Sequence, residues 1–318
     1  MFDVLVIGGG PAGITAAIYA KRAGRNVAIL EKIALGGQLN IIGKIENYPG
    51  FAEIMGPALA DEFSKHIESL DIPVIYDDVL NVNLEGEQKV VYGANGDYNA
   101  FAIVFALGSN YRELKIDGEK KFVGSGVSYC AVCDGRFFKA KKVAVIGSDD
   151  SAFADALYLS SIAKEVHLFS KKELKLHNYT FFDAEEKGNI FLHQNSVAKK
   201  IDGDLNVQSL VFEIEGHKEK IGVDGVFVSV GRKPSTGMLR GKIRLNKNGY
   251  IKTDEKMRTN IEGVFACGDI TDPAIRQISV AVGQGAVAGT EASRFALKKL
   301  FDKKSRWCLD FYFVYRIL

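Results

Sequence analysis

Absences narrow the chemistry of this chain before any motif is met. Only four cysteines occur in 318 residues, and two of them, Cys130 and Cys133, stand three positions apart. That is no secreted disulfide framework; it suits a reducing compartment with one working pair, so the expected location is the cytoplasm. Net charge is nearly absent, with 41 Lys and Arg against 39 Asp and Glu. The whole chain therefore offers no electrostatic attraction for nucleic acid or an anionic membrane. Long apolar runs are missing too: the longest, residues 101–107, is far too short to span a bilayer. A secretory leader is not expected, because the first residues enter a short strand, Phe2–Ile7, and turn at once on glycines. Cys267 and Cys308 are isolated and no Cys/His pair has ligand spacing, so no metal site is expected.

What remains is an ordinary globular mixture, 47% apolar and 25% charged, long enough for two domains. Val4-Leu5-Val6-Ile7 reads as a parallel strand buried on both faces. It runs into Gly8-Gly9-Gly10-Pro11-Ala12-Gly13, then a helix-forming stretch over residues 14–22 and a second apolar strand, 26–30, closed by Glu31. Strand, glycine turn, helix, strand and acid in that order predict a dinucleotide site. Gly8 permits the tight turn, Gly10 removes a Cβ where the backbone approaches a pyrophosphate, and Gly13 lets helix and strand pack closely. The helix N-terminus then offers free N–H groups to phosphate, and Glu31 is placed to accept from ribose hydroxyls. A glycine turn that merely joins strand to helix is the plainer alternative, and the acid at its expected distance argues against it.

Farther on, Pro57 and the spacing of Leu59, Phe63, Ile67 and Leu70 predict a helix over residues 56–70 with one buried face. Short strands lead to Gly108-Ser109-Asn110, a first boundary. Lys142–Ile146, Gly147, a helix over residues 150–161 and the strand Glu165–Phe169 then repeat the strand-turn-helix-strand pattern. Strands over residues 190–230 end at the turn-rich stretch Gly231-Arg232-Lys233-Pro234-Ser235-Thr236-Gly237, taken as the return boundary. The expected fold is α/β with two Rossmann-like, three-layer domains. The second, residues 111–237, is inserted into the first, residues 1–110 and 238–318. A proline-free, alanine-rich helix over residues 277–300 precedes a basic and then aromatic tail, residues 301–318.

Cys130-Ala131-Val132-Cys133-Asp134 carries the chemistry. Cysteines at this spacing can close a small-loop disulfide, and the first thiol usually has the lowered pKa that makes it the attacking thiolate. Asp134 follows directly and is placed to shuttle the proton that thiol-disulfide exchange needs.

Across residues 1–299 the chain closely resembles the low-molecular-weight thioredoxin reductases. The resemblance is carried by Gly8-Gly9-Gly10-Pro11-Ala12-Gly13, Gly36-Gly37-Gln38, Asn47-Tyr48-Pro49-Gly50, Cys130-Ala131-Val132-Cys133-Asp134, and Gly268-Asp269 with Arg276-Gln277. It implies FAD in the first domain, held by Gly8, Gly10, Pro11, Ala12, Gly13 and Asn47, with Glu31, Lys32, Gly37 and Gln38 along the adenosine and isoalloxazine edge. It also implies Gly268 and Asp269 at the ribityl chain, and Arg276, Gln277 and Ile278 at the start of the long helix, by the flavin carbonyl edge. Positive partial charge at that helix terminus favours an anionic reduced flavin. The same resemblance has Cys133 reacting with the flavin, Cys130 attacking the disulfide of thioredoxin or a thioredoxin-like protein, and Asp134 as acid-base. A homodimer is implied as well.

Two places depart from that pattern. Where the family carries a second Gly-x-Gly-x-x-Ala for NADPH, this chain reads Gly147-Ser148-Asp149-Asp150-Ser151-Ala152. Asp149 adds a side chain and a negative charge beside the expected pyrophosphate. Where the family has a His-Arg-Arg cluster for the 2′-phosphate, the residues are Ser170-Lys171-Lys172, without the bidentate fork of arginine. Both departures weigh against NADPH. The resemblance then points to the ferredoxin-dependent flavin thioredoxin reductases, with ferredoxin as donor. Lys139, Lys141, Lys142, Lys171, Lys172 and Lys175 would supply a face for that acidic partner, although acids and bases nearly balance in this region. The alternatives are an NADPH- or NADH-dependent reductase with an altered site, and a non-catalytic FAD and dithiol redox sensor. For the tail, with Trp307, Phe311, Tyr312, Phe313 and Tyr315, three readings stay open: a lid on the flavin, a dimer contact, or a loose end.

Overall fold

The computed structural model describes residues 1–174 and 188–314, with side chains through Asp302. Lys175 and Tyr315 lie outside the described residues, as do the side chains of Trp307, Phe311, Tyr312 and Phe313. The chain divides into two compact units, Met1–Asn110 with Pro234–Leu318, and Tyr111–Lys233. The return crossing thus falls at Lys233 and Pro234, inside the turn-rich stretch rather than at its end. The crossing segments Ser109–Tyr111 and Arg232–Pro234 are short strands hydrogen-bonded to one another.

In the first unit Val74–Tyr76, Val27–Glu31, Phe2–Ile7 and Asp97–Phe105 lie side by side, all parallel, with Val264–Ala266 on the far side of Asp97–Phe105. The long strand serves two neighbourhoods. Its second half joins the parallel sheet, while its first half pairs antiparallel with Lys89–Gly93, which pairs in turn with Val79–Asn83. Because successive strand residues face opposite ways, Val4 and Val6 enter one core, with Ala12, Ala16 and Ala292. Leu5 and Ile7 enter another, with Val82, Val91 and Leu239. This double burial is why the strand reads as continuously apolar.

The helices Pro11–Arg22 and Ile278–Val314 pack on the first of these cores. Their backbones come close at Gly285 and Gly289, where a Cβ would overlap the carbonyl oxygens of Ala12 and Ala16. The long helix runs on through Val314, so the stretch read as a separate tail continues the helix. The reason is local: no glycine or proline follows Gly289, so nothing stops it.

The second unit has its own parallel sheet, in the order Val127–Ser128, Gly225–Val228, Lys142–Ile146, Glu165–Phe169, Ile190–His193. The helix Asp150–Ser160 covers one face through Phe153, Ala156 and Leu159. The antiparallel strands Ser196–Gly203, Val207–Ile214 and His217–Gly222 cover the other through Ile201, Leu210 and Phe212. Two Rossmann-like α/β units therefore stand in one chain. Among the described residues no helix is long and apolar enough to cross a membrane.

Candidate redox-active site

In the first unit the strand Phe2–Ile7 ends at Gly8, whose φ of 106° suits only glycine. A Cβ on Gly13 would overlap the carbonyl oxygen of Gly8, so the helix can seat on the turn only without a side chain there. Gly10 differs: a Cβ on it would meet nothing within 4 Å. Gly10 caps the helix with no side-chain hydrogen bond, Pro11 takes the first turn, and no acid follows, so the terminal N–H groups point into open space. Glu31 is held at the edge of that space by the backbone N–H groups of Gly9 at 2.7 Å and Ile33 at 2.9 Å. A carboxylate has acceptor capacity beyond those two bonds.

The distant segments converge on the same turn. A Cβ on Gly37 would lie 3.2 Å from Gly10 Cα, and one on Gly268 would lie 2.8 Å from Ala12 Cβ. Gln38 donates to Ser109 O at 2.9 Å, and Asn47 donates to Gln277 Oε1 at 3.0 Å. Asp269 sits in the turn Gly268–Thr271 just beyond the strand Val264–Ala266, and Ile278 begins the long helix. Arg276 pairs with Asp272 and lies 5.4 Å from the Tyr250 ring centroid, leaving its Nε buried without a partner. Open space before an uncapped helix, an oriented acid and an unpartnered guanidinium nitrogen together fit an anionic dinucleotide such as FAD. Lys32 stands apart from this group: it is exposed and pairs with Asp78 at 2.7 Å. Gln284, which sequence reasoning missed, accepts the Gly268 N–H at 2.8 Å and so fixes the turn that carries Asp269.

In the second unit Cys130 and Cys133 are joined as a disulfide, with their Cα atoms 5.3 Å apart. Cys130 is the N-cap of the short helix Ala131–Asp134, and the Cys133 N–H donates to Cys130 Sγ at 3.2 Å. A donor on a sulfur favours its thiolate, so this contact suits Cys130 to carry negative charge once the pair is reduced. Asp134 is the acid nearest the pair in sequence. Burial raises its pKa above the ordinary carboxylate value, and a hydrogen bond from Ser128 Oγ, 2.6 Å from Oδ2, works against that rise. Ser128 is itself buried and also accepts the Cys130 N–H at 3.0 Å, so one hydroxyl joins the acid to the cysteine. Nothing in the spacing of the sequence marks Ser128.

The second glycine turn is built differently from the first. Asp149 is the N-cap of the helix Asp150–Ser160, and its carboxylate accepts from Ala152 N at 3.1 Å and Ser151 Oγ at 2.7 Å. The anion that a nucleotide would bring is thus supplied by the chain itself. Ser148 Oγ accepts the Lys171 N–H at 3.0 Å and contacts Ser170 Oγ at 3.0 Å, closing the turn onto the end of the next strand. Asp155 is half-buried here, hydrogen-bonded by Ser229, with a pKa raised by desolvation and by Asp149. Of the lysines in this unit, Lys139, Lys141, Lys171 and Lys172 are exposed, while Lys142 pairs with Glu165 at 2.7 Å.

Comparison with known proteins agrees with this geometry. Residues 2–285 match the model of the pyridine nucleotide-disulphide oxidoreductase family. The chain is 36% identical over 300 residues to thioredoxin reductase of Bacillus subtilis, covering 93% of this chain and 95% of that one. Among solved structures it is similar to thioredoxin reductase from Streptococcus pyogenes, at 38% identity and a TM-score of 0.88, over 94% of this chain and 99% of that one. It is also similar to a ferredoxin-flavin thioredoxin reductase from Clostridium acetobutylicum, at 30% identity and a TM-score of 0.52, over 95% and 98%. With a glycine-turn nucleotide site in one unit and a closed dithiol in the other, the chain belongs to the pyridine nucleotide-disulphide oxidoreductases, among the thioredoxin reductases.

Proposed function

We propose that the protein is a cytoplasmic, FAD-dependent disulfide reductase that passes electrons through Cys130 and Cys133 to thioredoxin or a thioredoxin-like protein, with reduced ferredoxin as donor. Gly8–Gly13, Glu31, Asp269 and Arg276 would hold FAD, which would supply the electron pair needed to open the Cys130–Cys133 disulfide. The Cys130 thiolate then attacks the partner disulfide, forming a mixed disulfide and expelling a partner thiolate that takes a proton from Asp134. Cys133 gives its proton to Asp134 and attacks Cys130 Sγ; the second partner thiolate leaves, takes that proton, and the pair is closed again. The half-buried carboxyl of Asp134, with its raised pKa, suits it to hold a proton for that departure.

The donor assignment rests on the carboxylate of Asp149 at the helix terminus where NADPH would place its pyrophosphate. A second reading keeps the chemistry and takes NADPH or NADH as donor; the family match supports it, because residues 2–285 include the second glycine turn. Anaerobic mixing with each donor separates them. The expected outcome is bleaching of the flavin absorbance by reduced ferredoxin and none by stoichiometric NADPH or NADH; prompt bleaching by NADPH would overturn the ferredoxin assignment. Thioredoxin turnover by the reduced protein then separates an enzyme from a redox sensor. The reading includes a homodimer, checked by sedimentation.

A further inference from the structure

Beside the dithiol, and wholly within the second unit, three side chains stack in a way the reaction as described does not use. The rings of Tyr111 and Tyr129 are stacked, with centroids 4.9 Å apart and planes at 29°. The guanidinium carbon of Arg232 lies 3.8 Å from the Tyr111 centroid. Tyr111 and Arg232 belong to the two short strands by which the chain passes between the units, and Tyr129 immediately precedes Cys130.

The far end of the stack is fixed. The Tyr129 hydroxyl donates to Glu119 Oε1 at 2.9 Å, and Glu119, 1% exposed, also accepts the N–H groups of Leu114 at 2.8 Å and Lys115 at 2.7 Å. Three donors satisfy this buried carboxylate, so withdrawing the phenol would leave charge underpaired in the interior. The Tyr129 ring thus cannot leave without cost at either end.

We propose that Arg232, Tyr111 and Tyr129 form a clamp that positions the redox-active cysteines. The clamp holds the backbone entering Cys130 in the extended form, φ −143° and ψ 101°, which places Cys130 Sγ within reach of the Cys133 N–H. The three are positioning residues, acting on the sulfurs through the backbone that Tyr129 shares with Cys130. A thiol held facing its partner closes the disulfide more readily than one on a free segment, so the clamp sets the reducing power of the pair. This deepens the disulfide-reductase reading, from which it takes its purpose but not its geometry.

The test uses the full-length holoprotein equilibrated in dithiothreitol buffers of graded potential, with the closed fraction of Cys130–Cys133 read by alkylation and mass spectrometry. Tyr111→Ala is expected to shift the closure equilibrium about tenfold toward the open dithiol, the scale of a lost aromatic pair. Arg232→Ala should shift it about threefold, and Tyr129→Phe, which keeps the ring and loses the Glu119 bond, should shift it the same way. Circular dichroism confirms folding; if Tyr111→Ala does not fold, Arg232→Ala and Tyr129→Phe decide. A closure equilibrium within twofold of the parent in folded Tyr111→Ala, or in both remaining variants, would overturn the clamp. Because the readout involves neither donor nor thioredoxin, a protein that shows the shift yet reduces no thioredoxin would sink the proposed function and leave the clamp standing.

Discussion

Asp134 is where burial and hydrogen bonding compete over one proton. Burial pushes its pKa up, and the Ser128 hydroxyl, which stabilises the carboxylate, pulls it down. Removing that hydroxyl in Ser128→Ala leaves burial unopposed, so the limb of the pH profile of disulfide reduction that reports Asp134 should move to higher pH. Initial rates across pH measure this, and an unmoved limb would detach Asp134 from the proton transfer. Asp134→Asn should slow turnover by about a hundredfold, within the usual range for a positioned acid-base group. Its effect on stability has the opposite sign. A carboxyl with a raised folded pKa contributes stability that is fully present below its unfolded pKa and lost as pH rises through the folded value. At neutral pH the charged form is therefore a cost, and Asp134→Asn should raise Tm at pH 7, with the gain vanishing on acidification below the ordinary carboxylate range. The pairing of Cys130 with Cys133 was legible because their spacing is their chemistry. Ser128 was not, because its link to Asp134 arises from the strand Val127–Ser128 facing a helix that starts three residues later.

The two glycines of the first turn separate packing from binding at the level of single elements. Gly13→Ala forces a Cβ onto the Gly8 carbonyl and should cost about 1–3 kcal/mol in urea unfolding, as overpacking does. Gly10→Ala adds a methyl to open space with an ordinary φ of −79°, so the apoprotein should unfold within about 0.5 kcal/mol of the parent while FAD retention falls. Equal losses in both variants would mean that Gly10 serves packing alone. A second element-scale effect sits between the strands Glu165–Phe169 and Ile190–His193, where His167 Nδ1 and His193 Nε2 lie 3.0 Å apart. Burial lowers both pKa values; Glu165 opposes this at His167, while Lys142 and the neighbouring imidazole add to it. Histidines with lowered folded pKa values bind fewer protons folded than unfolded, so the second unit should lose stability as pH falls from 7 toward 5. His193→Phe keeps a ring against Phe169 and should flatten that dependence, as followed by thermal melts at each pH. The buried strands and glycine turns were readable because backbone geometry dictates residue type. The continuation of the long helix through Val314 was not, because it lacks any stop signal, and Lys32 gave no sign that it would turn to Asp78.

Across the whole molecule, the insertion leaves the first unit nearly continuous without the second. Ser235 N lies 3.3 Å from Gly108 O, so the chain ends left by removing residues 111–233 are already in contact. Replacing that segment with a short Gly-Ser link should give a folded first unit that still co-purifies with FAD, read from its visible absorbance; a colourless or aggregated product would show that the unit depends on its insert. The order of the two nucleotide-type patterns was visible in the sequence, whereas the pairing of the crossing strands was not, since it joins residues more than a hundred positions apart. The self-capped helix at Asp149 has one more consequence, for supply. A ligand that binds only the folded form adds to its stability by mass action, so the first unit is tied to the cell's stock of flavin. The second completes its helix terminus with its own carboxylate and, with ferredoxin as the proposed donor, draws no such support from a nucleotide. During flavin scarcity the chain should therefore fail from one side only: proteases would find the first unit open while the dithiol unit, folded and closed, outlasts it.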